Sequence, residues 1–178
     1  MSQSNPNKKK IRAAKRTLLL YCEGAHEKAF LNYLKMLFSE DSGVHTIVKE
    51  NHGKGADCIL RNIVRQIPAD IMVCVFDVDS GVDRELKAER QSRGVVCVEN
   101  NQCLESLLLE ILEGKDYSQQ RSCDCKKMFE KKYLDGKKRK NKRNYGKIFP
   151  KRLLAKQAKK IKNLKMLIDL ISGKYDEK

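Results

Sequence analysis

The chain has 178 residues, no tryptophan, only 6% aromatic residues and no run of eighteen consecutive apolar residues. With so few aromatics, the core must be built mainly from Leu, Ile and Val. The lack of a long apolar run excludes a membrane-spanning helix, so no membrane partner is expected. The first sixteen residues are polar and basic with no apolar stretch behind them, which is not the pattern of a secretory signal. Cysteines number seven, and Cys22, Cys58, Cys74 and Cys97 lie in or beside apolar runs. They read as small buried hydrophobes in a reducing cytoplasm, the expected location, rather than as a disulfide framework. Cys123-Asp124-Cys125 lacks the second Cys or His pair that structural zinc requires.

What is abundant is positive charge, and it is unevenly placed. Residues 1–16 carry +6, residues 17–120 carry −6, residues 121–165 carry +16 and residues 166–178 carry −1. Three segments follow: a flexible basic arm over 1–16, a core over 17–120, and a basic loop with a C-terminal helix over 121–178 packed on that core. An acidic core between two basic segments points to a polyanionic partner, because each Lys or Arg that meets a phosphate releases counterions.

The core alternates strand and helix. Strands are expected at 17–22, 44–48, 71–76 and 95–98, and helices at 25–38, 56–67, 83–93 and 101–113. Pro68 ends the second helix. This pattern predicts an α/β fold with a parallel sheet of about four strands and right-handed crossovers. Pro150 opens a final helix to about Ser172, whose stripe from Leu153 to Ile171 docks on the core.

Two of the strands end abruptly in acids. Leu18-Leu19-Leu20-Tyr21-Cys22 runs into Glu23-Gly24, and Ile71 to Phe76 runs into Asp77-Val78-Asp79. In a parallel sheet both ends lie on the carboxyl edge, where ligands bind. Burying unpaired carboxylates is costly, and a divalent cation relieves their repulsion. Glu23, Asp77 and Asp79 together make a hard oxygen site suited to Mg²⁺, with Mn²⁺ as its substitute.

Those residues also carry a resemblance. Tyr21-Cys22-Glu23-Gly24-Ala25-His26-Glu27-Lys28-Ala29-Phe30-Leu31, followed by Val75-Phe76-Asp77-Val78-Asp79, resembles the Toprim domain, and more narrowly the RloB-like family associated with bacterial restriction and phage-defence loci. A third family motif, roughly Asn-Pro-Cys-Phe-Glu-x-Trp-Leu-Leu-x-His, is matched in part by Asn101, Cys103, Glu105 and the leucines that follow, without its Pro, Trp and His. Tyr145-Gly146-Lys147 answers to a later Tyr-x-Lys element. The resemblance covers about residues 17–150.

It implies a Toprim-like sheet and a Mg²⁺-dependent nuclease cutting RNA or DNA in the cytoplasm, with a role in antiviral defence and a protein partner from a defence system. Glu23 would act as general acid/base or metal ligand, and Asp77 and Asp79 would hold the metal. Glu105 would complete the metal shell or orient water, unless it is simply an acid favoured by a helix N-terminus. Two rivals stand beside it: a nucleic-acid-binding module with a vestigial site, and a phosphatase of the haloacid-dehalogenase type. The second leaves Glu23 unexplained.

The expected nucleic-acid contacts are Lys137, Lys138, Arg139, Lys140, Lys142, Arg143, Tyr145 and Lys147, together with Lys54 as a point charge if the Asn51-His52-Gly53-Lys54-Gly55 turn cradles a phosphate at the helix N-terminus rather than being a plain solvent turn. The stretch from Lys137 to Tyr145 looks too charged to pack, so it is expected as a loop or a helix exposed all round. Tyr145 and Phe149 would then stack on unpaired bases.

Overall fold

Four apolar runs form one all-parallel sheet in the computed structural model, which describes residues 16–78 and 81–175. The strands are β1 (Arg16–Cys22), β2 (Val44–Glu50), β3 (Ile71–Asp77) and β4 (Val95–Asn100), in the order β2-β1-β3-β4. The α/β fold expected from strand–helix alternation is therefore present. The proposed basic arm lies outside the described residues except for Arg16, which begins β1.

Strand side chains alternate between two apolar layers, as the twofold period of a strand dictates. Leu18, Leu20, Val73, Val75 and Val98 face one layer, and Leu19, Tyr21, Cys74 and Phe76 face the other. Helix α1 (Ala25–Phe38) covers the first face, with α4 (Leu104–Glu113) and the C-terminal helices. Helices α2 (Gly55–Asn62) and α3 (Arg84–Ser92) cover the second. Among the described residues no helix is long and apolar enough to cross a membrane.

Three departures from sequence expectation have local causes. α2 ends at Asn62 and tightens into a 3-10 turn, Ile63–Arg65, so Val64 and Ile67 point into solvent instead of joining Ile59, Leu60 and Ile63. α4 begins at Leu104, not at 101, because Gln102 holds a positive φ of 63° and the chain turns before the helix starts. The single helix expected over 150–172 is two, α8 (Lys151–Gln157) and α9 (Lys162–Ile171). The break at Ala158–Ile161 lets Leu154, Ile161 and Leu164 all reach the same core.

The basic segment is the largest correction. It folds into α5 (Ser122–Lys132), α6 (Gly136–Arg139) and α7 (Lys142–Tyr145), and it is not exposed all round. Tyr145 and Phe149 are fully buried. Tyr145 stacks on Tyr33 at 6.0 Å between centroids and lies 5.5 Å from Phe30, while Phe149 meets Phe30 and Phe129. Tyr33 Oη donates to the Phe149 carbonyl at 2.6 Å. An aromatic knot thus bolts the basic segment to α1, and neither ring can stack on a base.

Gly173 follows the last helix, and its φ of 72° and contact with Ser42 and Val44 leave no room for a Cβ. Gly173→Ala is expected to destabilise the protein by roughly 1–3 kcal/mol, from backbone strain and a clash with the Ser42 carbonyl. Denaturant midpoints measure it, and a change of only a few tenths would mean that the C-terminal turn yields.

Candidate functional site

The strand order reverses between β1 and β3, because the connection after β1 leaves toward β2 and the chain then returns past β1 to form β3. At such a switch point a crevice opens outside the carboxyl ends of the strands. Glu23 directly follows β1 and Asp77 is the last residue of β3, so the two meet at this crevice. The Asp77 backbone N–H donates to Glu23 Oε1 at 3.0 Å.

Neighbouring elements hold both acids in place. Asp77 is buried and sits opposite Asn100 in the β3–β4 register. Asn100 Nδ2 donates to Asp77 Oδ1 at 3.0 Å, and the Val78 N–H donates to the Asn100 carbonyl at 3.3 Å. On the other side, the Gly53 N–H donates to the Glu23 carbonyl at 2.7 Å and the Asn51 N–H to the Cys22 carbonyl at 2.8 Å. That turn needs His52 and Gly53 at positive φ, 56° and 74°, a region that glycine adopts freely and histidine enters more readily than most side chains. Lys54 is exposed at the start of α2, at the same sheet edge. Glu27 Oε2 accepts from the Gly24 N–H at 3.0 Å and closes the first turn of α1.

Asp79 lies outside the described residues. Among the described residues no group of three His, Cys, Asp or Glu side chains comes together as a metal cluster. What is in place is a pair of carboxylates, Glu23 and Asp77. Their oxygens belong to the donor class that Mg²⁺ and Mn²⁺ take, and Asn100 presents one face of Asp77 in a fixed orientation, so the residues fit such an ion.

Glu105 corrects an expectation. It is buried in the first turn of α4, where it pairs with Arg139 Nη1, and Arg139 Nη2 donates to Glu130 Oε1 at 2.6 Å. Its carboxylate is therefore engaged by a guanidinium rather than presented to an ion or a water. Arg139 is likewise no surface contact: it is buried, and its Nε and the Tyr145 Oη lack hydrogen-bond partners among the described residues. Burial pulls the Arg139 guanidinium below its ordinary pKa, against the opposite pull of Tyr145, Glu27 and Cys103.

The other predicted contacts, Lys137, Lys138, Lys140, Lys142, Arg143 and Lys147, are all exposed. The buried thiols are poor nucleophiles. Burial, with Glu27 and Glu50 adding to it, pushes the Cys22 thiol up, and burial pushes Cys103 to about 11.

Next to this edge an open cleft of about 700 Å³ lies between the first turn of α1 and helices α5 and α6, lined by His26, Lys127, Lys131, Lys137, Arg139 and Lys140 among others. A second, of about 580 Å³, adjoins it and shares Lys140, with Lys142 and the α1 residues Lys28 and Asn32 in its wall. Asn100, His26, Lys127 and Lys131 were not singled out from the sequence. For Asn100 a signal existed: its position at the end of the fourth strand places it beside the end of the third. Comparison with protein-family models, with curated proteins and with solved structures finds no match for this chain.

Proposed function

We propose that the protein is a Mg²⁺-dependent nuclease of the Toprim, RloB-like kind, acting on RNA or DNA. The observation that carries this reading is the Asp77 N–H bond to Glu23 across the β1–β3 seam, which brings two carboxylates from separate strands to one ligand-binding edge. The basic helices mounted beside that edge supply the attraction for a polyanion.

When bound, Mg²⁺ supplies Lewis-acid polarisation of a phosphodiester and a lower pKa for water. The chain's own residues do the rest. Asn100 fixes the Asp77 carboxylate, and the seam hydrogen bond fixes Glu23, the general acid/base that the resemblance suggests. Asp79 would add a further carboxylate. Antiviral defence, and a partner from a defence system, belong to the same proposal.

One observation favours the rival binding module. Gln102 stands where the third motif has proline, and at φ of 63° it adopts a conformation that a proline ring, held near −65°, cannot reach. The edge beside Glu105 therefore departs from the pattern that carries the resemblance.

Pure protein incubated with total cellular RNA and with plasmid DNA decides between the two. Cleavage is expected with Mg²⁺ or Mn²⁺ and none with EDTA, and titration calorimetry is expected to detect Mg²⁺ binding without substrate. Nucleic-acid binding with neither metal uptake nor cleavage would favour the binding module.

A further inference from the structure

We infer that the paired clefts along α5, α6 and α7 form the track for the phosphodiester backbone of the substrate, read by charge and not by base. This rests on the proposed nuclease function and says where that substrate lies. Three features point to it. The first is position: His26 in the first turn of α1 lines the larger cleft three residues after Glu23, and Arg139 in its wall reaches Glu105 at the carboxyl edge. The larger cleft therefore lies beside the sheet edge that carries the acid pair.

The second feature is unneutralised charge. Lys28, Lys87, Lys132 and Lys165 each pair with an acid, whereas Lys127, Lys131, Lys137 and Lys140 form no ion pair among the described residues. All four are exposed around one concavity, which Glu130 and Asp135 also line; Glu130 is paired with Arg139, nearly fully buried beneath with its Nε unpartnered, so the four lysines still outnumber the acids. Lys140 lines both clefts, so the basic surface continues toward Lys142.

The third feature concerns what the clefts lack. Neither is lined by a Phe, Tyr or Trp ring, because Tyr145 and Phe149 are committed to the core, and His26 contributes an imidazole to the larger cleft alone. Successive bases have no row of rings to stack on there, so the interaction is chiefly with phosphates, tolerant of sequence and steeply dependent on salt.

The test is fluorescence anisotropy in EDTA, across a salt series, with one labelled sequence as single-stranded RNA, single-stranded DNA and duplex DNA. The Lys127→Glu/Lys131→Glu variant is compared with Lys159→Glu/Lys160→Glu, an equal charge change on the exposed turn between α8 and α9. The cleft variant is expected to lose at least tenfold in affinity, and the slope of log affinity against log salt should fall by about 1.4 or more for single strands. The control pair should retain most of both.

Equal losses in the two variants would overturn the inference, since overall charge alone would then govern binding. So would an unchanged cleft variant, or displacement of the RNA by polyglutamate at matched charge. A wild-type chain that binds none of the three probes would instead overturn the proposed function itself. Lys137→Gln/Lys140→Gln, neutral changes at exposed positions, gives the same readout should the first variant melt early.

Discussion

Asp77→Asn is expected to abolish Mg²⁺-dependent cleavage, by at least about 10²-fold, in a chain that still folds and still binds nucleic acid. Loss of an outer-shell partner alone costs a metal site 10–100-fold, so loss of a ligating carboxylate should cost no less than about the upper figure. The substitution is conservative where the fold is concerned. An asparagine Oδ1 can still accept from Asn100 Nδ2, and the backbone N–H that binds Glu23 is untouched.

The sign of the stability change separates the two possible roles of the pair. Two carboxylates at one edge repel, so removing one charge should leave the protein equally or more stable in EDTA, and should remove the stabilisation that Mg²⁺ confers on the wild type. Thermal melts with and without Mg²⁺ measure this. If Asp77→Asn were destabilised in EDTA while cleavage persisted, the pair would be structural and the proposed metal centre wrong. Glu23→Gln should behave in parallel.

Arg139→Ala is expected to be the most damaging single change to stability, at about 3–5 kcal/mol, because it strands the buried Glu105 carboxylate without a counter-charge. An exposed lysine-type contact, which the sequence suggested for Arg139, would cost about 1 kcal/mol or less. Lysine at this position should rescue little, since its single ammonium cannot span Glu105 and Glu130 together. The double variant Arg139→Met/Glu105→Leu should recover much of the loss, because apolar replacement of a buried pair is often neutral. Urea midpoints at matched pH give all three values. A single-variant loss near 1 kcal/mol would show that Glu105 finds water once Arg139 is gone.

The difference between those two estimates marks where sequence reasoning reached and where it stopped. β1 and β3 were legible because each is a short apolar run cut off by an acid. Once the strands are parallel, Glu23 and Asp77 must share an edge. Arg139 and Tyr145 were not legible. Around Lys137 to Arg143 the surrounding charge hides any apolar period, and their partners lie far off in sequence: Glu105 is 34 residues before Arg139, and Tyr145 packs on Phe30 and Tyr33. The break between α8 and α9 was hidden for the opposite reason. The stripe from Leu153 to Ile171 keeps helical spacing throughout, and only the need to bury Leu154 and Ile161 on one surface forces the turn. Asp79 and the first fifteen residues lie outside the described residues.

The aromatic knot bears on how the chain reaches this state as it is made. Tyr33 and Phe149 are 116 residues apart, and Phe30, in the same helix, waits for Tyr145 and Phe149. Pairings of such separation are slow, because a long loop must close before any contact compensates for its ordering. Until residue 149 has left the ribosome, α1 presents uncovered aromatic rings on one face of a sheet that is otherwise complete through β4. A nascent chain halted between residues 114 and 144 is therefore a species with an open apolar face, the state that chaperones bind and that aggregates at high concentration.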